Sequence, residues 1–272
     1  MTSPRRMTRT LFLSVACAAC ALPGSIHAAT ISWSVAQNIT GDVAEVSTDG
    51  DFDRAYNFNA TATVEINGVN FTNVAGFASV GSVGNPGSHS VSGAHTFTPL
   101  PGSQSSTVIG NTDTSASLPV SVTSAGYRSL LGGDIRAGGA NGVTTPSPSG
   151  NAWQLTLTNL AVNTTYQVQL WFNDSRANSG GSRVGAVLSS PSNVAIDYNT
   201  SPTNAAGGLG QYITGTFTAD AATQTIDFRS NSGDENVAAM LNGYQLRVIP
   251  EPSAVLLGAA GMGAFAGRRR RS

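Results

Sequence analysis

The chain has 272 residues, 40% of them hydrophobic and 11% charged, which excludes a disordered protein and leaves enough length to bury a substantial core. All fourteen basic residues are arginine, and seven of these lie near the two ends of the chain. Residues 29–249 therefore combine seven arginines with fourteen acidic residues, a net charge of −7 that argues against a nucleic-acid partner, because such binding depends on cations that neutralise phosphates.

Residues 1–28 have the layout of a secretory signal peptide. Three arginines lie within residues 1–10, an apolar run, LFLSVACAACAL, follows at 11–22, and the small Ala28 precedes the predicted cut. This order of a basic, an apolar and a small-residue segment predicts export and cleavage by signal peptidase. A membrane anchor is disfavoured, because the run is shorter than the ~20 residues that a span needs.

A first strand, ISWSVAQNI, is predicted at 31–39, and an acidic cluster follows within STDGDFDRAYN at 47–57. Asp49, Asp51 and Asp53 stand at alternate positions, and oxygen-rich loops bind calcium. An EF-hand loop also needs Gly at its sixth position and Glu at its twelfth, and this cluster has neither. A weak calcium site and an acidic surface turn are both compatible with the sequence, and the turn is the favoured interpretation.

The segment ATVEINGVNFTNV at 62–74 predicts a β-hairpin, because Asn67-Gly68 separates two runs of alternating polarity. The residues that follow, 75–121, are rich in Gly, Ser, Thr and Pro. This composition predicts long loops with two weak edge strands, inserted in one domain rather than linking two.

Two later segments, WQLTLTNL at 153–160 and TYQVQLWF at 165–172, alternate apolar and polar residues as strands buried on one face do. A short helix is predicted at 125–133, and further strands are predicted at 193–199, 211–219, 223–229 and 240–249. Eight to ten short strands with turns between them predict an all-β fold, an antiparallel β-sandwich that occupies residues 29–248.

The phrase LTLTNLAVNTTYQVQLWFND at 155–174 resembles both fibronectin type III and galactose-binding-like domains. In such folds a tyrosine after a leucine and a short turn packs across the sandwich, which implies structural roles for Leu160 and Tyr166. A body of about 220 residues suits a galactose-binding-like jelly roll with insertions better than a single fibronectin module.

The loop FNDSRANSGGSR at 172–183 is the candidate ligand-binding loop. Asp174 and Arg176 come directly after a predicted strand, and Arg183 follows a glycine turn. With Trp153 or Trp171 nearby, such groups can hydrogen-bond and stack on a sugar, for example in an extracellular polysaccharide. An internal Asp–Arg pair that holds the loop in place is the favoured alternative.

We find no catalytic motif and predict that the protein is not an enzyme. A serine hydrolase needs a nucleophile held near a base, and the chain has no G-x-S-x-G. His89 and His95 are predicted to be solvated loop residues with too few neighbouring ligands for a metal site. No cofactor is expected apart from the weak calcium candidate. A glycoside hydrolase is a third hypothesis, because its two catalytic carboxylates are positioned by the fold and need not lie within a recognisable sequence motif.

The end of the chain, IPEPSAVLLGAAGMGAFAGRRRRS at 249–272, combines a Pro-Glu-Pro motif at 250–252, an uncharged apolar run at 254–267 and an arginine cluster at 268–271. As a helix, the run reaches ~21 Å, short of a ~30 Å hydrocarbon core, and arginine side chains that reach outward help a short span to fit. Four arginines keep that end on the cytoplasmic side. The tail is therefore predicted to tether an exported body to the membrane.

These three parts, in this order and at the end of the chain, resemble the PEP-CTERM sorting signal. The resemblance covers the last 24 residues or so and implies an exported bacterial protein whose tail is recognised and processed by exosortase, a membrane enzyme. It implies a membrane-anchored precursor in the cell envelope and then a place at the cell surface or in the extracellular matrix. The residues implied in sorting and processing are Pro250, Glu251, Pro252, Arg268, Arg269, Arg270 and Arg271.

Both cysteines, Cys17 and Cys20, lie within the predicted signal peptide, so the processed protein should contain no disulfide. We therefore expect the same melting temperature with and without a reducing agent, measured by circular dichroism on the processed protein. A shift on reduction would mean that the cut lies before the cysteines.

Overall fold

The computed structural model describes residues 29–58, 62–74, 81–82, 85–86, 89–99, 108–112, 119, 121–137, 152–176, 186–189, 194–203, 205–230 and 239–251. The predicted signal peptide, apolar helix and arginine cluster lie outside these residues, as do Arg183 and Pro252. Most of the residues that it describes form β-strands.

The strands in chain order are β1 (Ser32–Trp33), β2 (Gln37–Asn38), β3 (Asp51–Phe58), β4 (Val64–Ile66), β5 (Val69–Val74), β6 (Gly81–Ser82), β7 (Asn85–Pro86), β8 (His89–Val91), β9 (His95–Pro99), β10 (Val108–Thr112), β11 (Gly133–Ala137), β12 (Ala152–Leu157), β13 (Thr165–Phe172), β14 (Ala186–Ser189), β15 (Val194–Ile196), β16 (Gln211–Thr218), β17 (Gln224–Ser230), β18 (Ala239–Leu241) and β19 (Gly243–Val248). A 3-10 helix spans Val43–Glu45, and an α-helix, α1, spans Ala125–Gly132. In the part of the chain that is described, no helix has the length and apolar character needed to cross a membrane.

Two sheets carry most of these strands. Sheet I has the order β1–β16–β13–β19–β3–β5–β4, with β2 also paired to β16, and sheet II has the order β15–β14–β17–β12–β9–β8. Smaller sheets are formed by β10–β11–β18 and by β6–β7. Neighbouring strands run antiparallel, except that β3 and β5 are parallel, with Tyr56 opposite Thr72. The prediction of an all-β fold made mainly of antiparallel sheets is confirmed.

Side chains of sheets I and II share one hydrophobic core. Val168 and Leu170 of β13 are fully buried in it, as is Leu155 of β12. The rings of Trp153 and Phe228 stack there with their centroids 4.3 Å apart. Burial of each such side chain contributes about 1.5–3 kcal/mol, so this core holds the two sheets together. The apolar residues of β12 and β13 that the alternating pattern predicted to face a core are buried in this one.

The opposite face of sheet I is also covered over part of its length. Helix α1 packs there and begins after Ser124, whose hydroxyl accepts a hydrogen bond from the backbone amide of Tyr127. Tyr127, Leu130 and Leu131 of the helix are buried together with Trp171 of β13. Strand β13 is therefore buried on both faces, whereas its sequence pattern predicts burial on one. The short helix predicted at this point is present.

The predicted hairpin is present as β4 and β5. Ile66 pairs with Val69, so that Asn67 and Gly68 form a two-residue turn. Their φ angles of 50° and 74° are both positive, as a type I′ turn requires, and Asn and Gly adopt such angles most readily. The local sequence alone is sufficient to specify this turn.

Two predicted strands are each divided in the structure. The segment 31–39 forms β1 and β2 on either side of Val35, which is 78% exposed. The segment 240–249 is interrupted at Asn242, whose side-chain amide donates to carbonyl oxygens of Leu131, Gly133 and Asn173. The interruption at Asn242 depends on contacts with distant residues, which the local pattern does not encode, whereas the Val35 carbonyl accepts hydrogen bonds from the nearby Ser34 and Gln37 side chains.

The insertion predicted as loops contains an interior strand. Strand β9 pairs with β12 on one side and with β8 on the other, and Phe97 is fully buried. His95 is also fully buried, and its Nδ1 lies 2.8 Å from the Tyr244 hydroxyl of sheet I. The prediction that His95 is a solvated loop residue is wrong, because pairing with a distant strand overrides the weak local propensity.

The structural roles implied for Leu160 and Tyr166 agree with their positions. Leu160 is 5% exposed and Tyr166 is 4% exposed, both in the shared core. The Tyr166 hydroxyl accepts a hydrogen bond of 2.9 Å from the backbone amide of Ala161. The tyrosine therefore holds the turn that leads into its own strand.

Replacing Tyr244 with Phe should destabilise the protein, because it removes the hydroxyl that bonds His95 inside the sandwich. We expect a loss of about 1–3 kcal/mol, seen as a fall in melting temperature of about 2–4 °C per kcal/mol. The control is Tyr56→Phe, because the half-buried Tyr56 ring also packs against His95, with centroids 5.0 Å apart. Equal melting temperatures for the two variants would contradict the role of the His95–Tyr244 bond.

Candidate functional site

The loop predicted to bind a ligand is held by an ion pair of its own. Asp174 directly follows β13 and is 4% exposed. Arg176 Nε donates to Asp174 Oδ1 at 2.7 Å, Arg176 Nη2 donates to Oδ2 at 2.6 Å, and the Arg176 backbone amide donates to Oδ1 at 3.1 Å. Both carboxylate oxygens are thus engaged within the loop. The structure favours the internal pair over a sugar contact at these two residues.

Trp153 lies in the core and not beside this loop at the surface. It is 1% exposed, and its Nε1 donates to the Ala239 carbonyl at 3.0 Å. A buried ring offers no face to a sugar, so the prediction that Trp153 stacks on a ligand is wrong. Trp171 is fully buried as well. Of the residues predicted for this site that the structure describes, Asp174 and Arg176 lie together and Trp153 lies apart, whereas Arg183 is outside the described residues.

The buried side chains of Asn173 and Asn242 hold the same loop against the interior by hydrogen bonds. Asn173 Nδ2 donates to the Leu131 carbonyl at 3.0 Å, and its Oδ1 accepts from the Gly210 amide at 2.9 Å. Asn242 Oδ1 in turn accepts a hydrogen bond from the Asn173 backbone amide. These bonds join the end of α1, the end of β13 and the start of β19, which makes the cluster a structural junction.

The acidic residues considered for calcium do not form a binding loop. Asp51 and Asp53 belong to β3 and are exposed, and Asp53 Oδ2 lies 3.2 Å from Arg54 Nε. Among the side chains that the structure describes, no three His, Cys, Asp or Glu residues are grouped so as to hold a metal ion. The segment predicted as an acidic surface turn forms strand β3 from Asp51 onward, because it pairs with β19 in sheet I.

An open cleft lies on the face of sheet I opposite the shared core, and it is the better candidate for a binding site. Its volume is about 340 Å³. We call it the outer cleft, and it is lined by residues 44–49, Asn67, Gln167, Gln169, Tyr212 and Thr214. Strands β13 and β16 supply the last four side chains, and the segment before β3 and the hairpin turn supply the rest.

One wall of the outer cleft, residues 44–49, is fastened to the sheet by hydrogen bonds. Gln169 Nε2 donates to the Glu45 carbonyl at 2.6 Å, and Gln169 Oε1 accepts from the Ser47 amide at 3.1 Å. Arg247, which is 6% exposed, donates to the carbonyls of Thr48, Asp49 and Gly50. The wall is therefore preorganised and needs little ordering when a ligand binds.

Glu45 links the outer cleft to helix α1. Its Oε2 accepts a hydrogen bond of 2.5 Å from the Tyr127 hydroxyl, and its Oε1 accepts bonds from the backbone amide and hydroxyl of Thr40. Burial, followed by the hydrogen bond and charge of Glu45, raises the pKa of Tyr127 far above its usual value. Burial and the same charge raise the pKa of Tyr212. Both hydroxyls therefore remain protonated at neutral pH and can donate.

The sequence analysis did not identify the outer cleft. The alternation in β13 correctly places Gln167 and Gln169 on the face opposite the core, where polar residues are expected to meet water. Only the fold shows that residues 44–49 and the hairpin turn at Asn67 lie beside them. Two glutamines two positions apart in a strand are too common a pattern to indicate a site.

No protein-family model matches the chain, and comparisons with curated proteins and with solved structures find no match either. The function must therefore be inferred from the residues and geometry of the protein itself. The resemblance of residues 249–272 to the PEP-CTERM signal remains a sequence-based expectation.

We expect the protein to lose stability as the pH rises above about 10. Burial raises the pKa of both Tyr127 and Tyr244 above the usual value of 10.0, so above that pH the unfolded chain releases protons that the folded protein retains. The stabilisation is complete below pH 10 and falls by about 1.4 kcal/mol per pH unit for each tyrosine.

The measurement is urea unfolding at a series of pH values. The Tyr127→Phe variant should be less stable at neutral pH, because it loses the hydrogen bond to Glu45. Above pH 10 its stability should fall less steeply than that of the parent, since one titrating group is gone. The same slope for parent and variant would contradict a raised pKa at Tyr127.

Proposed function

We propose that the protein is an exported bacterial cell-surface or extracellular-matrix protein that is sorted and processed through its C-terminal tail. The proposal is carried by the order of the Pro-Glu-Pro motif, the apolar run and the arginine cluster at 249–272. The start of the motif is accessible in a way that suits processing. The last strand ends at Val248, the Ile249 amide bonds the Thr165 carbonyl, and Pro250 and Glu251 are exposed.

In this proposal each part of the tail has its own role. The arginine cluster stays on the cytoplasmic side and stops translocation, and the apolar run holds the precursor in the membrane. The two prolines, which lack backbone amides, favour an extended chain around Glu251 that a processing enzyme of the exosortase type can bind as a strand. Signal peptidase and this enzyme are the two processing partners, and the mature body then remains at the cell surface or in the matrix.

For the body itself we propose a galactose-binding-like jelly roll without enzymatic activity. The two-sheet architecture with a shared core is compatible with that fold, as are the buried Leu160 and Tyr166. The second candidate function is carbohydrate binding within an extracellular polysaccharide. The outer cleft favours it, whereas the engaged Asp174 and Arg176 do not. A glycoside hydrolase is the third candidate, and turnover of a glycoside would be needed to support it.

Replacing Glu251 with Ala should block processing and leave membrane insertion intact, because Glu251 lies outside the apolar run. Replacing all four arginines of the cluster with Asn should weaken membrane retention, since a run of about 14 apolar residues is marginal as a span without a charge bias. The tagged variants are expressed in a host that has an exosortase, and are followed by cell fractionation and by mass spectrometry of the C-terminus.

The matched control is Glu65→Ala, which removes an exposed glutamate from β4 and should be processed like the parent. Efficient trimming of the Glu251→Ala protein, together with normal membrane retention of the arginine-free protein, would show that this tail is not a sorting signal.

A further inference from the structure

The outer cleft offers hydrogen-bonding groups that the protein itself does not use. The side-chain oxygen of Gln167 is buried and has no hydrogen-bond partner among the described residues. An acceptor left in this state costs about 1–3 kcal/mol, which a ligand hydroxyl or a water molecule could recover. Gln167 lines the cleft, and its neighbour Gln169 is fully occupied in holding the wall. The unpartnered acceptor therefore takes no part in holding the wall, and it lies just beneath the cleft surface, where a rotation of the Gln167 side chain can present it to a ligand.

The charges around the outer cleft restrict the kind of ligand. Among the described residues, Glu45 and Asp49 are the only charged ones that line it, and that lining includes no arginine or histidine. An anionic ligand would meet two carboxylates and no compensating cation. A metal ion is also disfavoured, because the described side chains form no group of three metal ligands here or elsewhere.

The remaining groups suit a molecule rich in hydroxyls. Amide and hydroxyl side chains both donate and accept, as sugar hydroxyls do, and Asn67, Gln167 and Thr214 present such groups. Tyr212 is half-buried, with its ring packed against the hydrophobic cluster of helix α1, and its protonated hydroxyl is a donor at a cleft whose accessible lining is almost entirely polar. A volume of about 340 Å³ is at the lower end of the range for small-molecule sites.

We propose that the outer cleft binds an uncharged saccharide, with Gln167 and Tyr212 as the principal contacts. The Tyr212 hydroxyl donates a hydrogen bond to a sugar oxygen, and a rotation of the Gln167 side chain brings its oxygen to the cleft surface, where it accepts one from a sugar hydroxyl. This inference specifies the site and the ligand class for the carbohydrate-binding alternative. It is independent of the sorting tail, so either proposal can fail without the other.

The test is binding of the purified full chain to a glycan array and then isothermal titration calorimetry. The array contains neutral oligosaccharides of glucose, galactose, mannose and N-acetylglucosamine, together with uronic-acid oligosaccharides. We expect binding to at least one neutral series and none to the uronic acids. Gln167→Ala and Tyr212→Ala should each weaken that binding about tenfold or more, the size of one lost hydrogen bond.

Two matched controls should bind like the parent. Thr98→Ala changes an exposed residue of β9 in sheet II, and Thr72→Ala changes an exposed residue of β5, and neither residue lines the cleft. If Tyr212→Ala unfolds, Tyr212→Phe tests the hydroxyl alone, and melting temperatures show which variants are folded. Binding restricted to uronic acids, no binding to any neutral series, or equal affinity of the Gln167 variant and the parent would each overturn the proposal.

Discussion

Burying Gln169 requires a partner for each of its side-chain groups, and the partners that it finds join three separate parts of the chain. It donates to the Glu45 carbonyl and accepts from the Ser47 amide and from Gln245 Nε2. Without them, each buried polar group would cost about 1–3 kcal/mol. The segment before β3 therefore lies across β13 and β19, and Glu45 reaches Tyr127 of helix α1 from there. The packing of this segment and of helix α1 on the face of sheet I opposite the shared core therefore depends on the Gln169 side chain.

The last described strand completes sheet I from the middle and not from its edge. Strand β19 lies between β13 and β3, so the first and last parts of the described chain must meet before the sheet can close. Such long-range pairing is slow to form and makes the body one cooperative unit. The chain becomes exposed at Pro250 and Glu251, directly after this unit. A cut beyond Ile249 would remove none of the described strand residues, which is what the proposed processing requires.

The two candidate binding regions differ in what their polar groups already do. At the loop after β13, Asp174 and Arg176 use each other, and the amides behind them bond backbone carbonyls. In the outer cleft the wall is equally well held, but Gln167 keeps an acceptor without a partner in the described chain. The Gln245 oxygen behind the wall is also without a partner among the described residues, so the cleft is distinguished by its preorganised wall and its polar lining together with the Gln167 acceptor.

The sequence by itself determined the elements whose cause is local. Alternation specified β12 and β13, and Asn67-Gly68 specified the hairpin turn, since only such residues adopt its positive φ angles readily. Tertiary structure decided what depends on partners far away in the chain. Pairing with β12 made an interior strand of a Gly- and Ser-rich segment and buried His95. The outer cleft likewise exists only because β13, β16 and the segment before β3 meet, and no local pattern records which distant residues will become neighbours.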